Sequence, residues 1–251
     1  VLVLLCIAKI KLITVVMNVA YFNPQLLETR IKRSHWWKTA ANTIDSHHSN
    51  TSGIMLTHHL EAVYNNVEEI FNQPQIGFYG ALFSLLQQLQ LNKQQVKHEL
   101  KIIALLHDIG KIAEDKSQVI PHPLTGKPAH LRHGIVGLMA AMEIIGTELI
   151  PFPQQQLCIY RTVELHDISY GLFREYTING SIPQKERLQY IGNKIHALPG
   201  AGLLYLLIFK LADIHGHEDI RDVIWFYNIV KENYFTSLNI ALPVPEEKDI
   251  R

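Results

Sequence analysis

Cysteine is scarce: the 251 residues hold only two, Cys6 and Cys158. Two are too few for a disulfide scaffold or a Cys-rich zinc module and suit a reducing compartment, so a cytoplasmic location is expected. Net charge is also lacking, with 23 Lys plus Arg against 23 Asp plus Glu. No whole-chain basic field argues for nucleic acid, which leaves only a local patch to consider. Strand signals are few, and long uninterrupted apolar runs are missing. The opening "VLVLLCIAKIKLITVV" is broken by Lys9 and Lys11, short of the roughly 20 apolar residues a spanning helix needs. Its charges lie inside the run rather than ahead of it, unlike a signal peptide. No membrane association is expected. The sequence opens on Val, and a start at Met17 would make this run upstream sequence, so it is assigned no function.

What the chain does have is histidine, fourteen of them. Imidazole without thiolate shifts any metal hypothesis toward mixed nitrogen and oxygen coordination. The length suits one large domain with a modest appendage. Residues 1–40 are read as an N-terminal segment ending in a helical arm, 41–238 as the main domain and 239–251 as a tail.

Apolar periodicity dominates the main domain and places helices at about Leu56 to Phe71, Gly80 to Leu89, Lys93 to His107 and His133 to Ile145. Others follow at Gln154 to His166, Gln184 to His196, Gly202 to Asp213 and Ile220 to Tyr234. The fold class is therefore all-α. The Pro-rich "KSQVIPHPLTGKPAHLR", from Lys116 to Arg132, reads as a long connection or a short hairpin. "SYGLFREYTINGSIP" reads as a second break, and the Pro-rich, charged "ALPVPEEKDIR" as a frayed end.

Helical phase separates inward polar residues from outward ones. Val96, Leu100, Ile103 and His107 are spaced 4, 3 and 4 apart, so His107 ends an apolar stripe. His133 begins another with Gly137, Ala140 and Ile144, and His166 ends a third with Ile159 and Val163. Asp213 ends "LLYLLIFKLAD", where a lone carboxylate needs a partner or a cation to offset desolvation. Any one of these residues is more often a satisfied core group or a helix end than a ligand. Four helices that each begin or end a stripe with His or Asp point instead to one shared centre.

These residues resemble the HD superfamily of metal-dependent phosphohydrolases, helical domains with an ordered His, His-Asp pair and distal Asp, often with two further His between. "LTHHLEAV" would supply the first His, "LLHDIGK" the pair, "RHGIVG" and "ELHD" the intermediate His, and "KLADIHGH" the last Asp. The likeness spans about Ser46 to Tyr234 and implies an HD-type helical bundle with a loop or hairpin insertion. For the first ligand, the family's H-x-L-x-x pattern fits His58. Helical phase supports His59, which shares a side with Leu56, Val63 and Ile70. The motif is followed here.

Carried over position by position, His58, His107, Asp108 and Asp213 would hold one divalent metal, and Asp108, His133 and His166 a second. The metal would be Mn, Fe, Co, Ni or Mg, one or two per site. Asp108 has two oxygens and can bridge two cations, and such a pair can promote hydrolysis of a phosphate ester. Lys111 is the candidate clamp for a substrate phosphate, with a solvated helix-end lysine as the plainer reading. Asp167 is a candidate support for a His ring, and His122, His130 and Arg132 are loop residues that could meet a phosphate.

Among the family's branches, "LHDISYGLF" lacks the Gly-Tyr-Pro ending of cyclic-dinucleotide phosphodiesterases, and the Gly-Lys after the His-Asp pair departs from the Glu-Asp of guanosine tetraphosphate hydrolases. "SHHSNTSGIMLTHHLEAV" is similar to the lead-in of HD-type exoribonucleases, and "NKIHALPGAGLLYLLIFKLADIHGH" looks like the back half of HD domains attached to tRNA nucleotidyltransferases. The expected substrate is a small phosphorylated molecule, a nucleotide above others. A nuclease using the same centre and a non-catalytic ligand-binding domain are the alternatives. For the nuclease, "ETRIKRSHWWK" offers a stacking and phosphate-binding arm; its plainer reading is an amphipathic helix that packs its tryptophans on the domain.

Overall fold

The computed structural model describes residues 23–45, 54–112, 119–121, 128–130, 132–215 and 220–250. The chain enters through a helical pair, α1 (Pro24–Arg33) and α2 (His35–Ala40). Asn23 caps α1 by accepting from the Leu26 amide, and Ser34 both closes α1 and caps α2 through the Trp37 amide. Leu27, Ile31, Trp37 and Ala40 are buried in the same core as the rest of the chain. The basic residues of this pair are engaged by acids: Arg30 with Glu148, and Lys32 with Glu28 and Glu61. The Trp36 indole N–H donates to Glu143. The segment is thus the packed amphipathic reading of "ETRIKRSHWWK", with Trp37 buried and Arg30, Lys32 and Trp36 in contact with acids of the chain.

Next come α3 (Leu56–Asn72), α4 (Gly77–Gln88) and α5 (Lys93–Leu106), then a short 3-10 turn over Ile109–Ile112. After the hairpin lie α6 (His133–Ile145), α7 (Pro153–Leu165), α8 (Ile168–Asn179), α9 (Lys185–Ile195), α10 (Pro199–Ile214), α11 (Arg221–Val230) and α12 (Glu247–Ile250). The expected hairpin forms between β1 (Val119–Pro121) and β2 (Pro128–His130), antiparallel with Val119 opposite His130. The fold is an all-α bundle carrying this one small β element among the described residues.

At its centre, α10 is buried from Gly200 to Ile214 on every side, which is why its sequence is apolar all round. It lies against α9, α3, α5, α7 and α11. Close approach to α9 depends on glycine: a Cβ at Gly202 would fall 2.1 Å from the Gly192 carbonyl oxygen. Among the described residues no single helix is long and apolar enough to cross a membrane.

Two expectations are corrected. "SYGLFREYTINGSIP" is helical over most of its length, as α8. Leu172 is buried, and Phe173 and Tyr176 pack on Trp225 of α11 with Tyr176 stacked at 5.3 Å, a partner more than one helix away in sequence. Gly180, at φ +72, ends this helix where its lack of a side chain permits the left-handed turn. The tail is not frayed either: Leu242 and Ile250 are buried, and the Asp249 and Ile250 carbonyls meet the Tyr79 hydroxyl at 2.5 Å and His215 Nδ1 at 2.8 Å.

Candidate metal centre

The polar residues that end the inward stripes converge. His107 caps the C-terminus of α5, Asp108 follows it, Lys111 lies in the 3-10 turn, His133 opens α6, His166 caps α7, and Asp213 lies in the last turn of α10. Gly110 makes the junction close enough, since a Cβ there would sit 2.1 Å from the His133 carbonyl oxygen.

Three of the imidazoles are held the same way. Nδ1 of His107, His133 and His166 lies 3.0, 2.8 and 2.8 Å from the carbonyl three residues earlier, of Ala104, His130 and Val163. A carbonyl only accepts, so each Nδ1–H donates, and the neutral ring presents the Nε2 lone pair inward. This is how an outer hydrogen bond orients an imidazole toward a metal.

The Nε2 atoms then face one another, His59 to His107 at 3.2 Å and His133 to His166 at 3.0 Å. Two groups of ligand atoms result, each within 4.8 Å: His59, His107 and Asp213, and Asp108, His133 and His166. Asp108 joins them. Its Oδ2 lies 3.4 Å from Nε2 of both His59 and His107, and its Oδ1 lies 3.3 Å from Nε2 of both His133 and His166. Asp213 Oδ1 is 3.3 Å from His107 and 3.7 Å from His59.

This donor set could hold a metal. Asp108 Oδ1 is buried and has no hydrogen bond, an arrangement that costs roughly 1–3 kcal/mol unless a cation or proton satisfies it. Facing imidazole nitrogens likewise need a proton or a cation between them. Nitrogen and oxygen donors without sulfur suit Mn, Fe, Co or Ni by their chemistry.

The first His is corrected from His58 to His59. His58 is exposed, whereas His59 is buried on the inward face of α3 with Leu56, Leu60 and Val63. One residue along a helix turns a side chain by about 100°, so the motif spacing was overruled by helical phase.

Lys111 is neither solvated nor extended into open space. It is buried, with Nζ 2.5 Å from Asp108 Oδ2. Periodicity did not single out Lys210, whose Nζ meets Asp213 Oδ2 at 2.8 Å and Asp167 Oδ1 at 3.5 Å. The only sign was a lysine inside "LLYLLIFKLAD". Lys210 leaves Asp213 Oδ1 facing the histidines while tying down Oδ2. Asp167 stands at the rim, half exposed, with Oδ2 3.2 Å from His133 Nε2.

Electrostatics follow from this crowding. Burial alone would raise the Asp108 carboxyl, but Lys111 and His107 outweigh it and hold it well below the usual range. Burial opposes ionisation of Asp213 likewise, and Lys210 and His107 reverse that. Desolvation would lower His107 and His133, yet the facing carboxylates push them up to about 10 and about 9. Both carboxylates are therefore poised as anions.

A cleft of about 220 Å³ opens beside His133 and His166, between the start of α6 and the α7–α8 junction. Arg132, exposed at the head of α6 with φ +59, stands on its rim. The His130 ring is half-buried, and burial together with Lys111 lowers its basicity. His122 lies outside the described residues. No family model, curated protein or solved structure matches the chain, so the chemistry assigned to the centre rests on its residues and their geometry.

Proposed function

We propose that the chain is a metal-dependent phosphohydrolase of the HD type, hydrolysing a small phosphate ester, a nucleotide above other candidates. The observation that carries this reading is a single carboxylate, Asp108, directing one oxygen to His59 and His107 and the other to His133 and His166. Asp213 would complete the first group. Structural polar clusters do not need two separate nitrogen-rich pockets sharing one anion; dinuclear hydrolytic centres do.

Bound divalent cations, Mn, Fe, Co, Ni or Mg, supply Lewis acidity toward a phosphoryl oxygen and lower the pKa of water. The chain's own residues do the rest. The backbone carbonyls behind His107, His133 and His166 fix the rings, so little reorganisation accompanies ligation. Lys210 restricts Asp213, and Lys111 brings a buried positive charge to Asp108, where it can meet a phosphate oxygen once the carboxylate is engaged elsewhere. Of the arm that the nuclease alternative would use, Arg30, Lys32 and Trp36 contact acids of the chain.

The test is metal analysis of purified protein together with a screen of phosphomonoesters, cyclic nucleotides and short RNAs under each divalent ion, repeated on Asp108→Ala. Bound metal and phosphate release, both lost in the variant, are expected. Metal-free protein inactive on the whole panel would overturn the reading. Metal-replete protein without turnover would favour a non-catalytic binding domain.

A further inference from the structure

The cleft beside His133 and His166 has its floor on two of the proposed ligands and its walls on three helices. Ile135 of α6, Leu165 at the end of α7 and Ile168 of α8 make those walls largely apolar. Its volume, about 220 Å³, falls below the about 300–1,000 Å³ of pockets that enclose drug-sized ligands.

Its charges narrow the choice further. Glu164 and Asp167 both line the cleft, against the one cationic side chain Arg132 at the rim. Glu164 is held by Arg161 at 2.6 Å, and Asp167 by His133 and Lys210, so both carboxylates are fixed in place. They can accept hydrogen bonds from hydroxyl or amino groups.

Gly171 sets the width. It lies inside α8, where glycine costs roughly 0.5–1 kcal/mol relative to alanine, yet neither a positive φ nor a packing contact requires it. A Cβ at Gly171 meets nothing within 4 Å. By contrast Gly134, on the opposite wall, is needed for packing, because a Cβ there would approach the Glu164 carbonyl oxygen to 2.5 Å. Space, not backbone geometry, is what the glycine at position 171 supplies.

We propose that this cleft is the leaving-group subsite of the centre, kept open by Gly171 and selecting phosphomonoesters whose alcohol combines an apolar face with hydroxyl or amino groups. This rests on the phosphohydrolase reading and adds the class of substrate to it. Phosphate would lie toward His133, His166 and Asp108, and the alcohol between Ile135 and Ile168.

The experiment compares wild type, Gly171→Ala and Gly171→Leu, all loaded with Mn²⁺. Equilibrium binding of phenyl phosphate and of inorganic phosphate is measured alongside kcat/KM for phenyl phosphate. Leucine is a better helix former than glycine, so thermal unfolding should be unchanged or raised, which controls for folding. Gly171→Leu is expected to weaken phenyl phosphate binding at least tenfold while inorganic phosphate binds within twofold of wild type, with Gly171→Ala between. The loss in kcat/KM should appear in KM. Equal weakening of both probes, no weakening of either, or wild type that binds phenyl phosphate no more tightly than inorganic phosphate would overturn the subsite. Because binding is read without turnover, wild type that shows the binding contrast but hydrolyses nothing sinks the hydrolase reading and leaves the cleft assignment standing.

Discussion

Two polar clusters lie on the same three helices, eight residues apart on each. Glu99 and His107 share the α5 line, Cys158 and His166 the α7 line, Tyr205 and Asp213 the α10 line. Eight residues of helix span about 12 Å. In the inner cluster, donors match acceptors: the Tyr205 hydroxyl and the Gln95 amide at 2.8 Å donate to the two Glu99 oxygens, and the Gln154 amide lies 3.3 Å from Cys158 Sγ. Burial pushes the Glu99 carboxyl up to about 7 and the Cys158 thiol up to about 12, toward their neutral forms. In the outer cluster, imidazole nitrogens face one another, a carboxylate oxygen is orphaned, and the acids are held ionised. Burial alone therefore does not mark a site. A buried cluster that satisfies itself holds helices together, and one that satisfies itself only with added positive charge is built for a ligand.

The largest break in this contrast should come from Asp108→Ala. Even outer partners of metal ligands cost about 10–100-fold in affinity when lost, so removing the shared ligand should weaken metal binding at least ~100-fold. Metal content by mass spectrometry checks it, and retained metal would undo the assignment. Next, His59→Ala should weaken metal binding by at least ~10-fold, read by competition with a chromophoric chelator.

The inner cluster should respond in stability instead. Glu99→Ala leaves a cavity and an unpaired Tyr205 hydroxyl, for a loss of about 3–5 kcal/mol in urea unfolding, with metal stoichiometry of the folded protein unchanged. The pH dependence has a definite sign. A carboxyl at about 7 when folded and near its ordinary 4.5 when unfolded keeps its proton longer in the native state. Its stabilising effect is therefore full below 4.5 and is lost as pH rises through 7, amounting to about 3 kcal/mol. Glu99→Gln should flatten that part of the pH–stability curve; an unchanged slope would show that Glu99 titrates normally. His58→Ala should be nearly silent, within about 0.5 kcal/mol in stability and with wild-type metal binding, which separates it from its neighbour.

Much of the outer cluster was legible in the sequence, whereas the inner one was not. The stripes ending in His107, His166 and Asp213, and the one beginning at His133, are periodic patterns, and helices obey them because only one face reaches the core. Residues held by partners far along the chain were less visible. Helix α8 takes its packing from Trp225, and the tail takes its anchorage from Tyr79 and His215. Lys210 reads as an anomaly in an apolar helix until Asp167 and Asp213 are seen on either side of it.

By itself, the sequence determined the helices, their buried faces, and which of those faces terminate in histidine or aspartate, since local periodicity and desolvation act along the chain. Tertiary structure alone decided that Asp108 splits its oxygens between two histidine pairs and that a cleft opens beside one of them, and it settled for His59 what motif and helical phase had left divided. Those outcomes depend on the rotation and spacing of helices against one another, which are set by packing between residues remote in sequence.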